Sequence, residues 1–344
     1  MVVLLINELD TRMADLKKTE FEGKTEEYFR IWIVNLFLSI ITLGIYSPWA
    51  KVVNTKYLYQ NLSIEGHRFD YIAEPIQILK GRIIAVFLLI LVAVLSAYFP
   101  AVYMVSLIIL FLLFPWILNR SLSFQLRMTT YRNVSFDFKG DYGNSFWYFL
   151  FLPFLSIFTL YLALPAVLRR ASEYQINKTK FGNRYFKSSL LSSEYYVAFF
   201  TLMGCLLGVG IVIGILTTVT SANFPVLSVL FLVVGYILII ALSASVWGTI
   251  IRNHTFNNSS IPKVASFQST MEIKPYTGIV FTNVLALVFS LGLAYPWVAI
   301  RNMKYLSSTL EVQTEEDIDA VINTIKEENS AVLDEVAGAF DIEI

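Results

Sequence analysis

The sequence is poor in charge and in reactive side chains. Only 15% of its 344 residues are charged, against about a quarter in an ordinary soluble chain. The one cysteine, Cys205, excludes an intramolecular disulfide. The two histidines, His67 and His254, stand alone, whereas a metal site needs clustered ligands. No GxSxG, GxGxxG or phosphate-binding loop occurs. We therefore expect no enzyme and no catalytic, cofactor or metal site.

Long apolar stretches dominate the remaining sequence. Hydrophobic residues make up 56% of the chain and the mean hydropathy is +0.62, while a net charge of zero gives no indication of a nucleic-acid partner. A membrane-spanning helix needs about 20 apolar residues. Stretches without Asp, Glu, Lys or Arg cover residues 31–50, 83–119, 142–168, 195–251 and 275–300. The sequence therefore predicts an integral membrane protein that contacts the lipid bilayer.

The lengths of these stretches predict about seven transmembrane helices. Residues 83–119 would form a rod of about 55 Å, nearly twice the hydrocarbon core of roughly 30 Å, and so must fold back, as must residues 195–251. We expect an all-α membrane protein with helices in the order single, hairpin, single, hairpin, single. The predicted spans are 31–50, 83–99, 101–118, 146–168, 195–216, 226–251 and 276–300.

These helices group into two units of three. Three crossings per unit would invert the second unit relative to the first, which is a common plan in secondary transporters. The predicted segments are a polar N-terminal part (1–30), the first unit (31–119), a loop (120–145), the second unit (146–251), a loop (252–275), the seventh span (276–300) and an acidic tail (301–344).

Four segments that follow helices share a strand, turn, strand pattern. VSFDF (Val134–Phe138) alternates as a half-buried strand does. These loops either form short β-hairpins, lying on the membrane or building a small cap, or remain irregular. The segments are Asn61–Tyr71, Thr130–Phe138, Asn177–Phe186 and Asn257–Ser269.

The predicted spans contain uncharged polar residues but no acid, lysine or histidine, which argues against a proton relay. Asn35, Ser39 and Thr42 share one face of the first helix, and Asn283 and Ser290 share one face of the last. Such residues either join helices by hydrogen bonds or line a path for an uncharged or zwitterionic solute. If the first and last helices touch, Asn35 and Asn283 could pair.

One phrase occurs near both ends of the chain. LGIYSPWAKVVNTKYLY (Leu43–Tyr59) and LGLAYPWVAIRNMKYLS (Leu291–Ser307) agree at eight of seventeen positions. We interpret it as a membrane-exit motif, because tryptophan favours the headgroup level and basic residues snorkel into phosphate. Its residues are Gly44, Pro48, Trp49, Asn54, Lys56 and Tyr57 in the first copy, and Gly292, Pro296, Trp297, Asn302, Lys304 and Tyr305 in the second.

A weaker form places an aromatic residue nine positions after a proline, as in Pro115 to Phe124 and Pro165 to Tyr174. Elsewhere, four glycines with two GxxxG spacings predict close helix packing. They are Gly204, Gly208, Gly210 and Gly214. The tail Glu311–Ile344 holds eleven acidic residues and one lysine. It is either an amphipathic helix that docks on the protein or on a partner, or a solvated disordered segment.

The part of the chain near the N-terminus carries a specific set of residues: Phe21, Gly23, Tyr28, Phe29, Asn35, the run TLGIYSPWAK (Thr42–Lys51), Tyr57 and the turn Gly66-x-x-Phe69. Through them the segment Thr19–Tyr71 resembles the YjgN family of bacterial inner-membrane proteins, and GLAYPW (Gly292–Trp297) is similar to the family's closing segment. The resemblance implies a multi-pass protein of the bacterial cytoplasmic membrane. It supplies no biochemical function and no site residue.

Two classes of function follow from these patterns. The first is a passive or facilitated transporter or channel, with Asn35, Asn283 and their hydroxyl neighbours along its route. The second is a non-transporting membrane factor that interacts with lipid or with envelope proteins. The sequence indicates neither the side of the N-terminus nor an oligomeric state.

Overall fold

The structure, a computed structural model, describes residues 16–314 and 322–324. Its central feature is a sheet of eleven short antiparallel strands, which we call the crown. The strands are β1 Leu16–Phe21, β2 Leu62–Ile64, β3 His67–Tyr71, β4 Thr129–Tyr131, β5 Val134–Phe138, β6 Thr179–Phe181, β7 Arg184–Tyr185, β8 Lys187–Ser188, β9 Ser259–Ile261, β10 Ala265–Ser269 and β11 Leu310–Thr314.

The crown nearly closes on itself. Its order is β7-β6-β5-β4-β3-β2-β1-β11-β10-β9-β8, and the two end strands are consecutive in the chain, separated by Phe186 alone. The first and last described strands meet side by side, with Lys18 opposite Glu311. The strand and turn patterns in the four loop segments are therefore confirmed as hairpins, but they join into one sheet.

Helices leave the crown and return to it in five pairs. The first pair is α1 Thr25–Ile41 and α2 Ser47–Gln60; the second is α3 Pro75–Tyr98 and α4 Pro100–Arg127. The third begins with α5 Tyr142–Phe146, a π-helical turn Trp147–Phe151, α6 Leu152–Ser156 and a 3₁₀ turn Ile157–Thr159. It ends with α7 Leu164–Asn177. The fourth is α8 Ser192–Ser221 and α9 Pro225–Leu242, which continues through a π-helical turn Ser243–Trp247 into α10 Gly248–Asn257. The fifth is α11 Ile273–Phe289 and α12 Tyr295–Ser308.

Neighbouring pairs pack against each other around the crown. The contacts run from α2 to α3, from α4 to α5, from α7 to α8, from α9 to α11, and from α12 back to α1. The helices therefore form a ring that the last pair closes onto the first.

The prediction of an all-α protein with seven spans is wrong. Only four described helices are long and apolar enough to cross a membrane: Pro75–Tyr98, Pro100–Arg127, Ser192–Ser221 and Pro225–Asn257. They form the second and fourth pairs. The predicted single spans 31–50, 146–168 and 276–300 each contain the turn of a short pair together with parts of the helices on both sides of it.

The helices of the short pairs do not meet the length and apolarity of a membrane span. The apolar part of α1, residues 31–41, is about 16 Å long, roughly half of the hydrocarbon core. Its turn exposes Leu43, and the corresponding turns of the third and fifth pairs expose Leu160 and Leu291, each to more than four-fifths. The sequence did not reveal this because an apolar run of 20 residues fits either one crossing or a bent pair.

Candidate functional site

The middle of the crown holds an apolar cavity of about 230 Å³. Only two of its lining side chains carry a polar atom, and both are already bonded. The Tyr131 hydroxyl donates to the Ile64 carbonyl at 3.0 Å, and the Thr314 hydroxyl donates to a Glu65 carboxylate oxygen at 2.8 Å. The other lining residues are Ile64, Phe69, Phe136, Phe181, Phe186, Phe256, Ile261, Val264, Ala265, Phe267, Leu310 and Val312. The side chains that line this crown cavity therefore offer a ligand no free hydrogen-bond donor.

Burial further disfavours ionisation of the one phenol in this lining, which is neutral at physiological pH even without it. It raises the pKa of Tyr131 to about 12, with Arg132 opposing and Glu65 reinforcing the shift. The Tyr131 hydroxyl therefore remains a hydrogen-bond donor at physiological pH.

A second cavity of about 450 Å³ lies between the crown and the ends of α2, α4 and α7, and we call it the helix-side cavity. It shares Phe69, Phe136 and Phe186 with the crown cavity. Its lining is mixed, because the side-chain amides of Gln125 and Gln175 face it without hydrogen-bond partners among the described residues. Three phenyl rings thus separate an apolar chamber from one that can bond a polar group.

The far end of the crown is covered by a short piece of the C-terminal segment. Ile322 is only 2% exposed and belongs to a cluster of buried side chains that also contains Tyr131, Phe181, Ile261 and Val264. The rest of the predicted acidic tail, residues 315–321 and 325–344, lies outside the described residues, so its predicted contact with a partner stays a prediction.

The two asparagines expected along a solute path are buried inside separate helix pairs. The Asn35 amide donates to the Asn54 side-chain oxygen at 3.0 Å and accepts from the Tyr46 hydroxyl at 3.4 Å. The Asn283 oxygen accepts from Arg301 at 3.1 Å. Each therefore joins the two helices of its own pair, and they do not bond each other.

The repeated motif forms the turn between the two helices of a short pair and the start of the second helix. Gly44 and Gly292 adopt φ near +89° and +88°, a conformation that favours glycine. Their amides donate to Ser39 and Leu287 carbonyls at 2.7 and 2.8 Å, which closes the end of the first helix.

Two hydroxyls that were predicted to line a path accept hydrogen bonds from backbone amides at the start of the second helix of each pair. Thr42 and Ser290 accept from the amides of Tyr46 and Ala294 at 3.0 and 2.8 Å. Pro48 and Pro296 then start the second helix. Since unsatisfied backbone groups are costly in lipid, these bonds let the turn lie within the bilayer. In the turn of the third pair, the Thr159 hydroxyl likewise accepts from the Ala163 amide. The sequence analysis did not identify Thr159.

The tyrosines at the end of the motif close each short pair. The Tyr57 hydroxyl accepts from the Lys24 amide at 3.0 Å and donates to the Lys24 carbonyl at 3.1 Å. Tyr174 and Tyr305 bond Asp141 and Glu272 in the same two-way manner. In the fourth pair His254 takes this place, accepting from the Leu191 amide at 2.9 Å.

The other predicted residues have local contacts or none. Trp49 stacks on Tyr46, Trp297 lies under Arg301, and Ser39 donates to the Asn35 carbonyl. The Asn302 side-chain oxygen is buried without a partner. The side-chain ammonium groups of Lys56 and Lys304 have no hydrogen-bond or ion-pair partner among the described residues.

The predicted glycine packing lies elsewhere. A Cβ atom on Gly204, Gly208, Gly210 or Gly214 would meet nothing within 4 Å. The close approach between α8 and α9 is at Gly235, where a Cβ would lie 2.7 Å from an Ile213 side-chain atom.

Together these features define a class: a multi-pass membrane protein in which spanning and half-spanning helix pairs carry a crown of strands around an aromatic cavity. The chain belongs to the DUF898 family of bacterial proteins of unknown function, whose family model matches residues 17–339. This confirms the predicted resemblance.

Curated relatives agree with this assignment. Inner membrane protein YjgN of Escherichia coli O157:H7 and of strain K12 is 34% identical over 152 residues, which cover 44% of this chain and 37% of theirs. The Salmonella typhimurium LT2 protein of the same name is 31% identical over 140 residues, 39% of this chain and 34% of its own. The chain thus spans just over a third of the length of the relatives it matches. No solved structure matches.

The relatives' names and the apolar helices place this chain in the bacterial inner membrane, as predicted.

Proposed function

We propose that the protein is a non-transporting, non-catalytic membrane factor that binds one hydrocarbon chain of a membrane amphiphile in the crown cavity. The observation that carries this proposal is the lining: both polar side chains of the crown cavity are already bonded, so the cavity favours an apolar ligand. Ile322 already places a branched alkyl group against the same cluster.

The helix-side cavity suits the polar end of such a ligand. It lies where α2, α4 and α7 meet the crown, at the level where the apolar part of α4 ends. The free amides of Gln125 and Gln175 can donate to and accept from a carboxyl or ester group. An amphiphile would then lie with its polar end among the helix ends and its chain between Phe69, Phe136 and Phe186.

We expect a photoreactive diazirine analogue of palmitic acid to label the crown when the protein is held in phosphatidylcholine nanodiscs. Replacing Phe136 with tryptophan should lower labelling on the order of tenfold, because the larger ring fills space equivalent to one or two methylenes of the chain. Peptide mass spectrometry after illumination would give the yield and the labelled residues.

Phe87→Trp is the matched control, since Phe87 is 64% exposed on α3 and far from the crown. Equal labelling of both variants, or labels confined to exposed faces of α3 and α4, would contradict chain binding in the crown.

A second candidate is passive passage of an uncharged or zwitterionic solute, favoured by the two cavities lying in succession. The same variants decide between the candidates. Uptake of labelled glycine into proteoliposomes that Phe136→Trp abolishes would support passage. Uptake no greater than in empty vesicles, with labelling that depends on Phe136, would support chain binding.

We also infer the orientation of the crown. The turns of the two long pairs, residues 98–100 and 221–225, contain no lysine or arginine, so every described basic residue lies on the crown's side or in helix segments that lead to it. Basic residues accumulate on the cytoplasmic side of inner-membrane proteins. The crown therefore faces the cytoplasm.

Cysteine labelling tests this orientation. In a Cys205→Ser background, single cysteines at Ser135, Ser189 and Ser308 should react with a membrane-impermeant maleimide only after the cells are permeabilised, because all three positions are exposed on the crown side. A cysteine at Asn223, in the turn of the fourth pair, should react in intact cells. Labelling of Ser135 and Ser189 from opposite sides would restore an inverted arrangement and overturn the fold's topology.

A further inference from the structure

A basic cleft separates the second and third helix pairs where α4 leaves the bilayer. It encloses about 290 Å³, and the α4 residues that line it recur every three or four positions and so share one helix face. Its lining is Trp116, Asn119, Arg120, Ser123, Arg127, Phe138, Lys139, Gly140 and Tyr142.

The charges of the cleft do not balance. Its cations Arg127 and Lys139 lie 3.7 and 3.2 Å from oxygens of one carboxylate, Asp137, which also faces Lys180 at 3.9 Å. Arg120 has no hydrogen-bond or ion-pair partner among the described residues. One carboxylate therefore lies near three cations, and Arg120 adds a fourth positive charge to the cleft.

Asp137 is the one carboxylate near these cations, and its side chain already accepts other hydrogen bonds. Asp137 is 8% exposed and already accepts from the Ser123 hydroxyl and the Phe138 amide at 2.8 Å each. Burial alone raises the pKa of Asp137, but these hydrogen bonds and Lys139 outweigh it and lower the pKa below its usual range. The carboxylate is thus charged at neutral pH, and the cleft is still electropositive.

The cleft also borders the lipid. Trp116 and Tyr142 stand at its edge, 55% and 46% exposed, and the Tyr142 hydroxyl donates to the Leu112 carbonyl of α4 at 2.8 Å. Tryptophan and tyrosine favour the headgroup level. Beyond them α3 and α4 leave almost all of their apolar side chains uncovered by the protein.

We propose that this basic cleft binds the phosphodiester headgroup of an anionic phospholipid, whose acyl chains lie along the exposed faces of α3 and α4. Arg120 supplies the planar guanidinium that bonds phosphate oxygens two at a time, and Arg127 and Lys139 add charge. Basic pockets between helices on the cytoplasmic side are suited to such lipids. The site is separate from the crown cavity and does not depend on its occupation.

The neighbouring cavity on the other side of α5 provides a contrast. It encloses about 380 Å³ and also contains cations, but Arg169 pairs with Glu173 and Lys178 lies 3.8 Å from Asp141. Two of its three cations, all but Arg170, therefore lie beside a carboxylate of their own, which favours the cleft beside α4 as the lipid site.

Native mass spectrometry of the purified protein titrated with phosphatidylglycerol or phosphatidylcholine tests the proposal. We expect phosphatidylglycerol to bind more tightly. The double change Arg120→Gln with Lys139→Gln should weaken its binding roughly thirtyfold, because each basic residue near an anionic lipid contributes roughly fivefold to the affinity. Arg120→Gln alone should give part of the loss, and it breaks no contact in the described chain if the double variant fails to fold.

Lys263→Gln is the matched control, because it removes one charge from an exposed crown turn away from the bilayer. Equal phosphatidylglycerol binding by the wild type and Arg120→Gln would overturn the site. Inorganic phosphate that competes as strongly as the lipid would assign the cleft to a free anion instead. Since neither Arg120 nor Lys139 lines the crown cavity, palmitate labelling should persist in the double variant, which separates failure here from failure of the proposed function.

Discussion

Replacing Gly140 with alanine should destabilise the third helix pair severely. A Cβ atom there would lie 2.6 Å from the Phe138 ring and 2.8 Å from the Asn119 side-chain oxygen. Neither can move freely: Phe138 is 3% exposed and packs edge-on against Tyr174, and Asn119 accepts from the buried Ser145 hydroxyl at 2.7 Å. Overpacking together with a lost hydrogen bond costs about 2–4 kcal/mol of unfolding free energy.

Gly143→Ala is the matched control three residues away. The nearest atom to its Cβ would be an Asp141 oxygen at 3.8 Å, an ordinary contact, and the residue lies within α5, where alanine favours helix. Thermal unfolding in detergent, followed by tryptophan fluorescence, should show a large loss for Gly140→Ala and no loss for Gly143→Ala. Similar transitions in the two variants would mean that the Phe138 ring has room to shift.

Replacing Arg252 with methionine should loosen the contact between the fourth and fifth pairs. Its guanidinium donates to the Leu306 carbonyl at 2.6 Å and to the Thr309 hydroxyl at 2.8 Å, and it lies over the Phe256 ring. Methionine fills similar space but leaves both acceptors without this donor. Hydrogen bonds to charged groups contribute about 1.5–3 kcal/mol each, so we expect a loss of about 3–5 kcal/mol.

Arg120→Met provides the comparison, because Arg120 precedes Phe124 by four residues, as Arg252 precedes Phe256. Without a partner in the described chain, its loss should change stability by less than about 0.5 kcal/mol in detergent free of anionic lipid. Arg252→Lys should recover only part of the loss, since one ammonium cannot hold the fork geometry of two bonds. Unfolding transitions that coincide for Arg252→Met and Arg120→Met would contradict the assigned role of Arg252.

The sequence indicated the strands better than the helices. Alternation in VSFDF and the polar turns correctly located the hairpins around Phe69 and Phe136. Their union into one crown was not predictable, because pairs such as β3 with β4 join residues that are about sixty positions apart in the sequence. The residues of each strand alone do not determine which distant strand it pairs with, or in which register.

The turns of the short pairs misled the span count for a physical reason. The Thr42 hydroxyl and the Gly44 amide form hydrogen bonds with backbone groups of the bend, so the chain can reverse without a polar loop. An apolar run interrupted by one glycine and one proline therefore has the composition of a single crossing. The recurring Pro to Tyr spacing did carry the correct information, since Tyr57, Tyr174 and Tyr305 each close a pair, but it was interpreted as interfacial anchoring.

The candidate site was hidden for a different reason. Most of its phenylalanines come from separate strands, where each alone is an ordinary strand residue, and Phe256 comes from helix α10. The basic cleft was likewise invisible, because Arg120 and Lys139 are separated by a strand hairpin and become neighbours only in the folded chain.

The pairing of β1 with β11 has a consequence for biosynthesis. During translation, one edge of β1 stays unpaired while nearly three hundred further residues are synthesised. Only then can β11 pair with it and the Thr19 hydroxyl donate to the Ser307 carbonyl. Unpaired edges recruit other strands. The nascent protein therefore has an aggregation-prone interval that ends only when its last described strand is made, and a ribosome stalled before Leu310 leaves that edge permanently open.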